Sequence, residues 1–320
     1  MIKVGIIGAE TLNGGELLRL LIYHPETDLV SLYSPLLSGR SVSSVHHGFI
    51  GERIVNFSDK LELEKLNILF ICGTDACLKE IFQNRDKYLD LKIIDITSNN
   101  DNAFEGFITS IGLSEINMKP LFRGEKDAYI PSPELIGPLI ALYPLAQYML
   151  LNSPISITIS VPRVIIKEGV ISSTNSCFLN KAISLWQPSF DSSVTISIEE
   201  NTHENRVITS HLIIDCPLSL EEIERIYDGI YDDHNFTFVT HSPVSVKEVE
   251  GNQKCIISLN KPSSATLEIT ILTDARMRGG AGDAVHVMNL MQGLHEKTGL
   301  QLKSSAFEAP SHSQSLSWFA

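Results

Sequence analysis

Side-chain chemistry in this chain would have to sit where apolar strands run into helices, because a helix start leaves N–H groups unpaired and carries the positive end of the dipole. The stretch Tyr129-Ile130-Pro131-Ser132-Pro133-Glu134 is such a corner. It leads from a strand end into a helix expected over Leu135 to Leu150, with Pro138 near the first turn and Pro144 as a kink. A thiol placed here would be activated by position alone. None is present: Pro133 has no functional group, Ser132 reads as the N-cap, and Glu134 would use the dipole in place of a substrate. Ser132 could serve as a nucleophile only with a paired base, and no histidine is placed for it.

A second corner follows the first strand. Ile2 to Ile7 is a continuous apolar run ending at Gly8, and Ala9-Glu10-Thr11-Leu12-Asn13-Gly14-Gly15 leads into a helix expected from Glu16 to Tyr23. Glycine turns of this kind let the backbone approach a pyrophosphate at the helix N-terminus. Gly8 and Gly14 keep the outer spacing. Thr11, however, stands where a second close-approach glycine usually lies, and Glu10 adds a negative charge beside the pyrophosphate position. A structural strand-to-helix turn is the stronger reading. Cys177 follows the polar run Ser172-Ser173-Thr174-Asn175-Ser176 at a helix entry, where an ordinary helix cysteine outweighs an activated thiol. His203 and His211 lie in the alternating segment Val194 to Ile214, where a histidine is more often a strand-face residue than a base.

The elements that would position these residues form an α/β chain of two parts. Short buried strands at Leu29 to Tyr33, Leu69 to Cys72 and Ile93 to Ile96, with a helix over Ala76 to Lys87, are the βαβ pattern of a doubly wound, Rossmann-type parallel sheet. From Pro154 the pattern changes to alternating strands: Ile155 to Ser160, Val194 to Ile198, Val207 to Ile214, Lys254 to Leu259 and Leu267 to Leu272. Among them lies a helix from Ser219 to Tyr231 with Ser219 and Glu222 in capping-box spacing. This is an α+β domain with a mostly antiparallel sheet. The expected division is residues 1–131 with 281–310 as the dinucleotide-binding-type domain, 132–280 as a substrate or oligomerisation-type domain, and 311–320, including Trp318 and Phe319, as a loose tail.

Composition narrows the class. A formal net charge of −13 without a basic stripe disfavours nucleic acid as a partner. No apolar run reaches the roughly 18 to 20 residues of a membrane span, and Met1 leads directly into the first strand, so a cytoplasmic protein is expected. The five cysteines, Cys72, Cys77, Cys177, Cys216 and Cys255, carry no zinc spacing and read as reduced, mostly buried thiols, with no metal expected.

Several motifs carry a resemblance in chain order. They are Gly5-Ile6-Ile7-Gly8-Ala9 with Gly14-Gly15-Glu16-Leu17-Leu18-Arg19-Leu20-Leu21, Ser38-Gly39-Arg40 with Val42, and Ile111-Gly112-Leu113-Ser114-Glu115-Ile116-Asn117. The later ones are Asp274, Arg278-Gly279-Gly280-Ala281-Gly282, Ala284-Val285 and Met288-Asn289-Leu290-Met291-Gln292-Gly293-Leu294. Over about Met1 to Leu300 the chain resembles the N-acetyl-γ-glutamyl-phosphate reductases, the arginine-biosynthesis members of the semialdehyde dehydrogenase families. The resemblance implies thiolate attack on an acyl phosphate, hydride from NADPH, a histidine handling protons, and homo-oligomers built through the second domain.

It also implies a cysteine in an Asn-Pro-Gly-Cys corner, where this chain has Ile130-Pro131-Ser132-Pro133, and a histidine in a His-x-Pro-Glu segment, where Trp186-Gln187-Pro188-Ser189 is the nearest match. Ser132, Pro133 and Trp186 would thus be a vestigial site. Ser34-Pro35 replaces the Ser-Arg suited to a 2′-phosphate, Thr74-Asp75-Ala76 replaces Pro-His-Gly, and Val161-Pro162-Arg163-Val164-Ile165-Ile166 replaces a glycine-rich loop. By resemblance the cofactor is NADP, held at Gly8, Thr11, Gly14, Ser34 and Asn289, with binding weakened or lost. The expectation is a reductase-family fold without the ancestral catalysis, acting as a binding, regulatory or structural subunit for a small-molecule ligand or beside an active relative. The alternative is a working NAD(P)-dependent oxidoreductase with an altered site.

Overall fold

The computed structural model describes residues 1–97, 110–169, 171, 176–241, 244–304 and 306. The expected tail at 311–320 and the Ser172 to Asn175 run lie outside them. The chain opens with β1 (Ile2–Ile7), α1 (Leu12–Leu21), β2 (Thr27–Tyr33), β3 (Phe57–Ser58), β4 (Ile68–Ile71), α2 (Cys77–Gln83) and β5 (Lys92–Asp95). It continues through β6 (Ser110–Ile111), α3 (Ser114–Arg123) and β7 (Asp127–Tyr129). These strands form one seven-stranded sheet in the order β3-β2-β1-β4-β5-β7-β6, with every pairing parallel. A parallel sheet is covered on both faces, which is why β4 reads Ile-Leu-Phe-Ile and is buried throughout.

Helix α1 starts at Leu12, not Glu16, because Thr11 caps it: the Thr11 side chain accepts a hydrogen bond from the Gly14 amide. The single helix expected over Ala76 to Lys87 is instead α2 followed, after Asn84, by a 3₁₀ turn over Arg85–Tyr88. Arg85 forms an ion pair at 2.7 Å with Asp127 of β7, tying that turn to the sheet.

The first domain leads into α4 (Pro133–Gln147), nearly every residue of which is buried. A helix apolar all round belongs in an interior, and α4 packs on the second sheet, beside β8 (Ile155–Pro162), β10 (Val207–Asp215) and β13 (Thr266–Asp274). Beyond β8 come α5 (Arg163–Lys167), α6 (Ser176–Trp186), β9 (Val194–Asn201), β10 (Val207–Asp215), α7 (Leu220–Tyr231), β11 (Thr237–Thr240), β12 (Cys255–Asn260) and β13 (Thr266–Asp274). The second sheet runs β11-β12-β13-β10-β8-β9. Its three inner pairings are antiparallel, while β11 on β12 and β9 on β8 are parallel. The stretch from Val161 to Ile166, expected as a loop, completes β8 and enters α5. The short edge strand β11 has no sequence signature because four residues cannot show alternation.

Pro144 has no N–H to give the Ile140 carbonyl, so an interior helix carrying it leaves a buried acceptor unpaired. Helix α7, held by the expected Ser219 and Glu222 capping box, supplies the missing donor. The Tyr231 hydroxyl donates to Ile140 O at 2.6 Å, and Tyr227 donates to Ala141 O at 2.5 Å. Tyr231→Phe therefore strands one buried carbonyl and is expected to lower stability by about 1–3 kcal/mol, read as a shift in the denaturant midpoint. Tyr→Phe at the exposed Tyr23 serves as the control. Equal midpoints for the two variants would show that Ile140 is satisfied some other way.

The last helix, α8 (Ala281–Met291), returns to the first domain and lies beside α1 and α3. Its residues join β1, β4 and β5 in one core, while α4, α6, α7 and the second sheet form another.

Candidate functional site

The corner after β7 is closed. Ser132 and Glu134 are fully buried, Pro133 is buried at the first position of α4, and the Ser132 hydroxyl donates to Glu134 Oε1 at 2.8 Å. Ser132 is the N-cap by position, but its side chain makes no cap bond. Over the corner lies the turn at Gly279, whose φ of +73° only glycine adopts without strain. A Cβ on Gly279 would stand 2.5 Å from Pro133 Cα and 2.9 Å from Pro131 O, so the two backbones are in direct contact.

The residue that orders this turn is Arg278, which is 0% exposed. One end of its guanidinium bonds Glu115 Oε1 at 2.7 Å, and its Nε lies 3.4 Å from Asp283 Oδ1. Asp283 accepts from the Gly279 amide at 2.7 Å and from Gln253 Nε2 at 2.5 Å, and Thr237 of β11 donates its hydroxyl to Glu115. Helix α3, the start of α8, strand β11 and the turn before β12 are thus joined through one buried arginine. Burial alone would raise the Glu115 carboxyl, but Arg278, with help from His234 and the Thr237 hydroxyl, brings it down to about 2. Asp283, where burial dominates, is held above the ordinary carboxylate range. Glu115, Arg278 and Gly279 lie in the motifs that carry the resemblance. A buried arginine with two carboxylates far apart in sequence leaves no local pattern by which its role could be read.

At the glycine turn both glycines are required by the chain itself. Gly8 has φ of +75°, and a Cβ there would meet the Gly73 backbone at 2.6 Å; one on Gly14 would meet Gly8 O at 2.4 Å. Three of the turn's amides are spent internally: Thr11 N bonds Gly8 O at 3.0 Å, Gly14 N bonds Thr11 Oγ1 at 3.0 Å, and Gly15 N bonds Thr11 O at 2.8 Å. The Thr11 hydroxyl itself lies 2.8 Å from Gly8 O and 3.1 Å from Cys72 O. His46 packs on Gly15 with Nε2 2.8 Å from Ala9 O. Glu10 keeps its Oε2 buried without a hydrogen-bond partner, and so does the Ser34 hydroxyl. A pyrophosphate needs open amides and positive potential. The Ala9, Glu10, Leu12 and Asn13 amides take no part in these internal bonds, and the Glu10 carboxylate lies among them.

The other expected site residues do not converge on either corner. Trp186 packs edge-on against Tyr143 at 5.1 Å, ten residues along α4 from Pro133, so it shares no pocket with the corner. Asn289 is 0% exposed and not a crevice residue: its Nδ2 donates to Glu296 O at 3.1 Å and Thr298 O at 2.8 Å, while Oδ1 faces His24 Nε2. Its amide was legible as polar in an apolar helix; only the folded turn after α8 shows where it is used. Cys177 is exposed on α6 and in no disulfide. His203 lies between strands and not within one, and His211 faces Thr270 Oγ1 at 3.2 Å on β10.

Burial raises the thiols of Cys72, Cys77 and Cys255, the last two to about 12, which withholds the thiolate needed for attack. Among the described residues no group of three or more His, Cys, Asp or Glu side chains is placed to hold a metal. None of the described helices is long and apolar enough to cross a membrane.

A parallel sheet with a glycine turn after β1, followed by an α+β domain and a helix that returns to the first, is an architecture that semialdehyde dehydrogenases share. Residues 3–123 match the model of the semialdehyde dehydrogenase NAD-binding domain. Solved structures of that class share the fold. One is aspartate semialdehyde dehydrogenase II complexed with ASA from Vibrio cholerae, at TM-score 0.67 and 13% identity over 92% of this chain and 98% of that one. Another is aspartate semialdehyde dehydrogenase with NADP from Candida albicans, at TM-score 0.61 and 12% identity over 91% and 98%.

Sequence relatives resolve the family. N-acetyl-gamma-glutamyl-phosphate reductase of Parabacteroides distasonis is 33% identical over 96% of this chain and 100% of its own length. That of Flavobacterium johnsoniae is also 33% identical with the same coverage. The chain belongs to the N-acetyl-γ-glutamyl-phosphate reductase family.

Proposed function

We propose that this chain is a member of its family that does not reduce acyl phosphates and serves as a binding or structural subunit. The observation that carries the reading is the corner at Ser132 to Glu134. A proline stands where thioester chemistry needs a thiolate, and the backbone of the Gly279 turn covers it. NADP binding is weak or absent in this reading, since the turn carries Thr11 at its close-approach position, holds Glu10, and is followed after β2 by Pro35 instead of an arginine. Losing a charged hydrogen bond of that kind removes roughly 1.5–3 kcal/mol, or one to two orders of magnitude in affinity.

The test is the reverse reaction with purified full-length protein, N-acetylglutamate semialdehyde, phosphate and NADP, alongside calorimetry with NADP alone. No NADPH formation and no NADP binding near ~1 μM, about −8 kcal/mol, is the expected result. A steady rate that vanishes on Ser132→Ala or Cys177→Ser would overturn the reading. It would leave the alternative, an NAD(P)-dependent oxidoreductase with a rebuilt site, which the full-length match to named reductases favours.

The subunit role includes self-association in the cytoplasm through the outer face of the second sheet. There Ser156 and Ile213, partners in register, and Thr195 and Ser197 of β9 are exposed. Light scattering that gives a monomer at all concentrations would remove that part.

A further inference from the structure

The second observation that asks for a ligand lies away from both corners. Where the segment after α8 crosses the edge of the second sheet, it encloses a cavity of about 330 Å³ lined by Lys254, Lys297, Lys303, Asn235 and Phe238, among others. That volume is at the lower end of small-molecule sites. Three lysines line it and no acidic residue among the described ones does, although the chain as a whole carries 38 acidic against 25 basic side chains. A cavity whose charged lining is lysine, on an acidic protein, is a local inversion of potential that attracts anions into one place.

None of the three lysines forms an ion pair among the described residues; the nearby Glu296 is already engaged by His286 at 2.7 Å and Asn235 at 3.0 Å. Lys254 and Lys297 are half-buried residues, and Lys303 is exposed. Phe238, on the edge strand β11, is 44% exposed at the cavity, so its ring is open to a flat partner. Beneath it Phe236 is buried edge-on against His286 at 5.0 Å, which gives the wall a rigid backing.

The geometry points to a binding site for a small organic phosphate that carries an aromatic ring, the chemistry of a nucleoside 5′-phosphate. Lysines take the phosphate as point charges, and Phe238 takes the ring. The site is separate from the glycine turn, and its existence does not depend on whether that turn still holds a dinucleotide.

The test is calorimetry on the full-length protein with AMP, adenosine and inorganic phosphate as three separate probes. AMP is expected to bind at least about tenfold more tightly than either fragment, because charge and ring contribute together. Lys254→Gln with Lys297→Gln is expected to weaken AMP by about tenfold or more and to flatten its salt dependence. Phe238→Ser is expected to weaken AMP several-fold while leaving phosphate unchanged. These side chains are partly or well exposed, so the variants keep the fold, which circular dichroism checks. The assignment is overturned if AMP does not bind at ~10 mM, a concentration at which even a millimolar site would be filled. It is equally overturned if AMP affinity is indifferent to the two lysines, or follows Glu10→Gln and Thr11→Gly, which would put the nucleotide at the glycine turn.

Discussion

Replacing Pro133 by cysteine is expected to yield neither acyl-phosphate reduction nor a thiol that labels in the folded protein. Position 133 is the first residue of α4, it is buried, and the Gly279 turn packs on its backbone. A reagent can reach it only when the turn lifts. An opening that costs about 3 kcal/mol slows alkylation roughly a hundredfold relative to the unfolded chain. Exposed Cys177 labels in any case, so the measurement belongs in a Cys177→Ser background.

The absent turnover has a separate cause. General acid–base help is worth ~10²–10⁴-fold and orientation about 7–11 kcal/mol, and a lone thiol supplies neither. Adding Trp186→His does not repair this, because Trp186 sits against Tyr143, ten residues further along α4. At 1.5 Å rise per residue that is about 15 Å from the corner. A double variant that turns over near ~1 s⁻¹, the low end for ordinary enzymes, would show that the corner opens and that the chain is a reductase disabled at two residues.

Arg278→Met is expected to cost about 3–5 kcal/mol of stability, since it leaves Glu115 and Asp283 buried without their cation. The loss should fall when Glu115→Gln is added, because the second change removes a stranded charge; two costs that simply add would mean the pair is not coupled. The pH dependence gives an independent reading. A carboxyl held at about 2 contributes stability that is complete above its ordinary value near 4.5 and is lost as the pH falls from there toward 2. Asp283, raised by burial, works the other way and opposes folding once it ionises. Without Arg278 the Glu115 contribution disappears, so the variant's stability should fall less steeply between those two pH values than that of the parent. Parallel acid limbs would place the parent's acid sensitivity elsewhere.

The family fold was legible because it is written in local patterns. Apolar runs such as Leu69 to Cys72 and Ile2 to Ile7 bounded by turns read as strands of a covered parallel sheet, found at Ile68–Ile71 and Ile2–Ile7, and Ser219 with Glu222 announces a helix start three residues apart in the chain. The first domain's helix boundaries were less legible. Thr11 was visible as an obstacle to a pyrophosphate, but not as the cap that begins α1 four residues before the expected Glu16. That role depends on the hydroxyl reaching Gly8 O and Cys72 O, and Cys72 is 61 residues away.

The sequence alone determined that the corner at Ser132 and Pro133 carries no thiol, since the identity of a side chain is a property of one position. It could not determine that the corner is shut. That follows from Gly279, whose backbone meets Pro133 in a turn held by Asp283, with Arg278 set between Asp283 and Glu115 behind it. Nor could it place Asn289, whose amide is spent on Glu296 and Thr298 in a turn that closes after the helix. The Ile140 carbonyl, orphaned by Pro144, is legible as a need in the sequence, but the Tyr231 hydroxyl that meets it comes from 91 residues away. Needs of this kind are local, because a backbone group or a charge must be satisfied wherever it is buried. Their partners are set by packing between elements distant in the chain, and only the tertiary structure decides them.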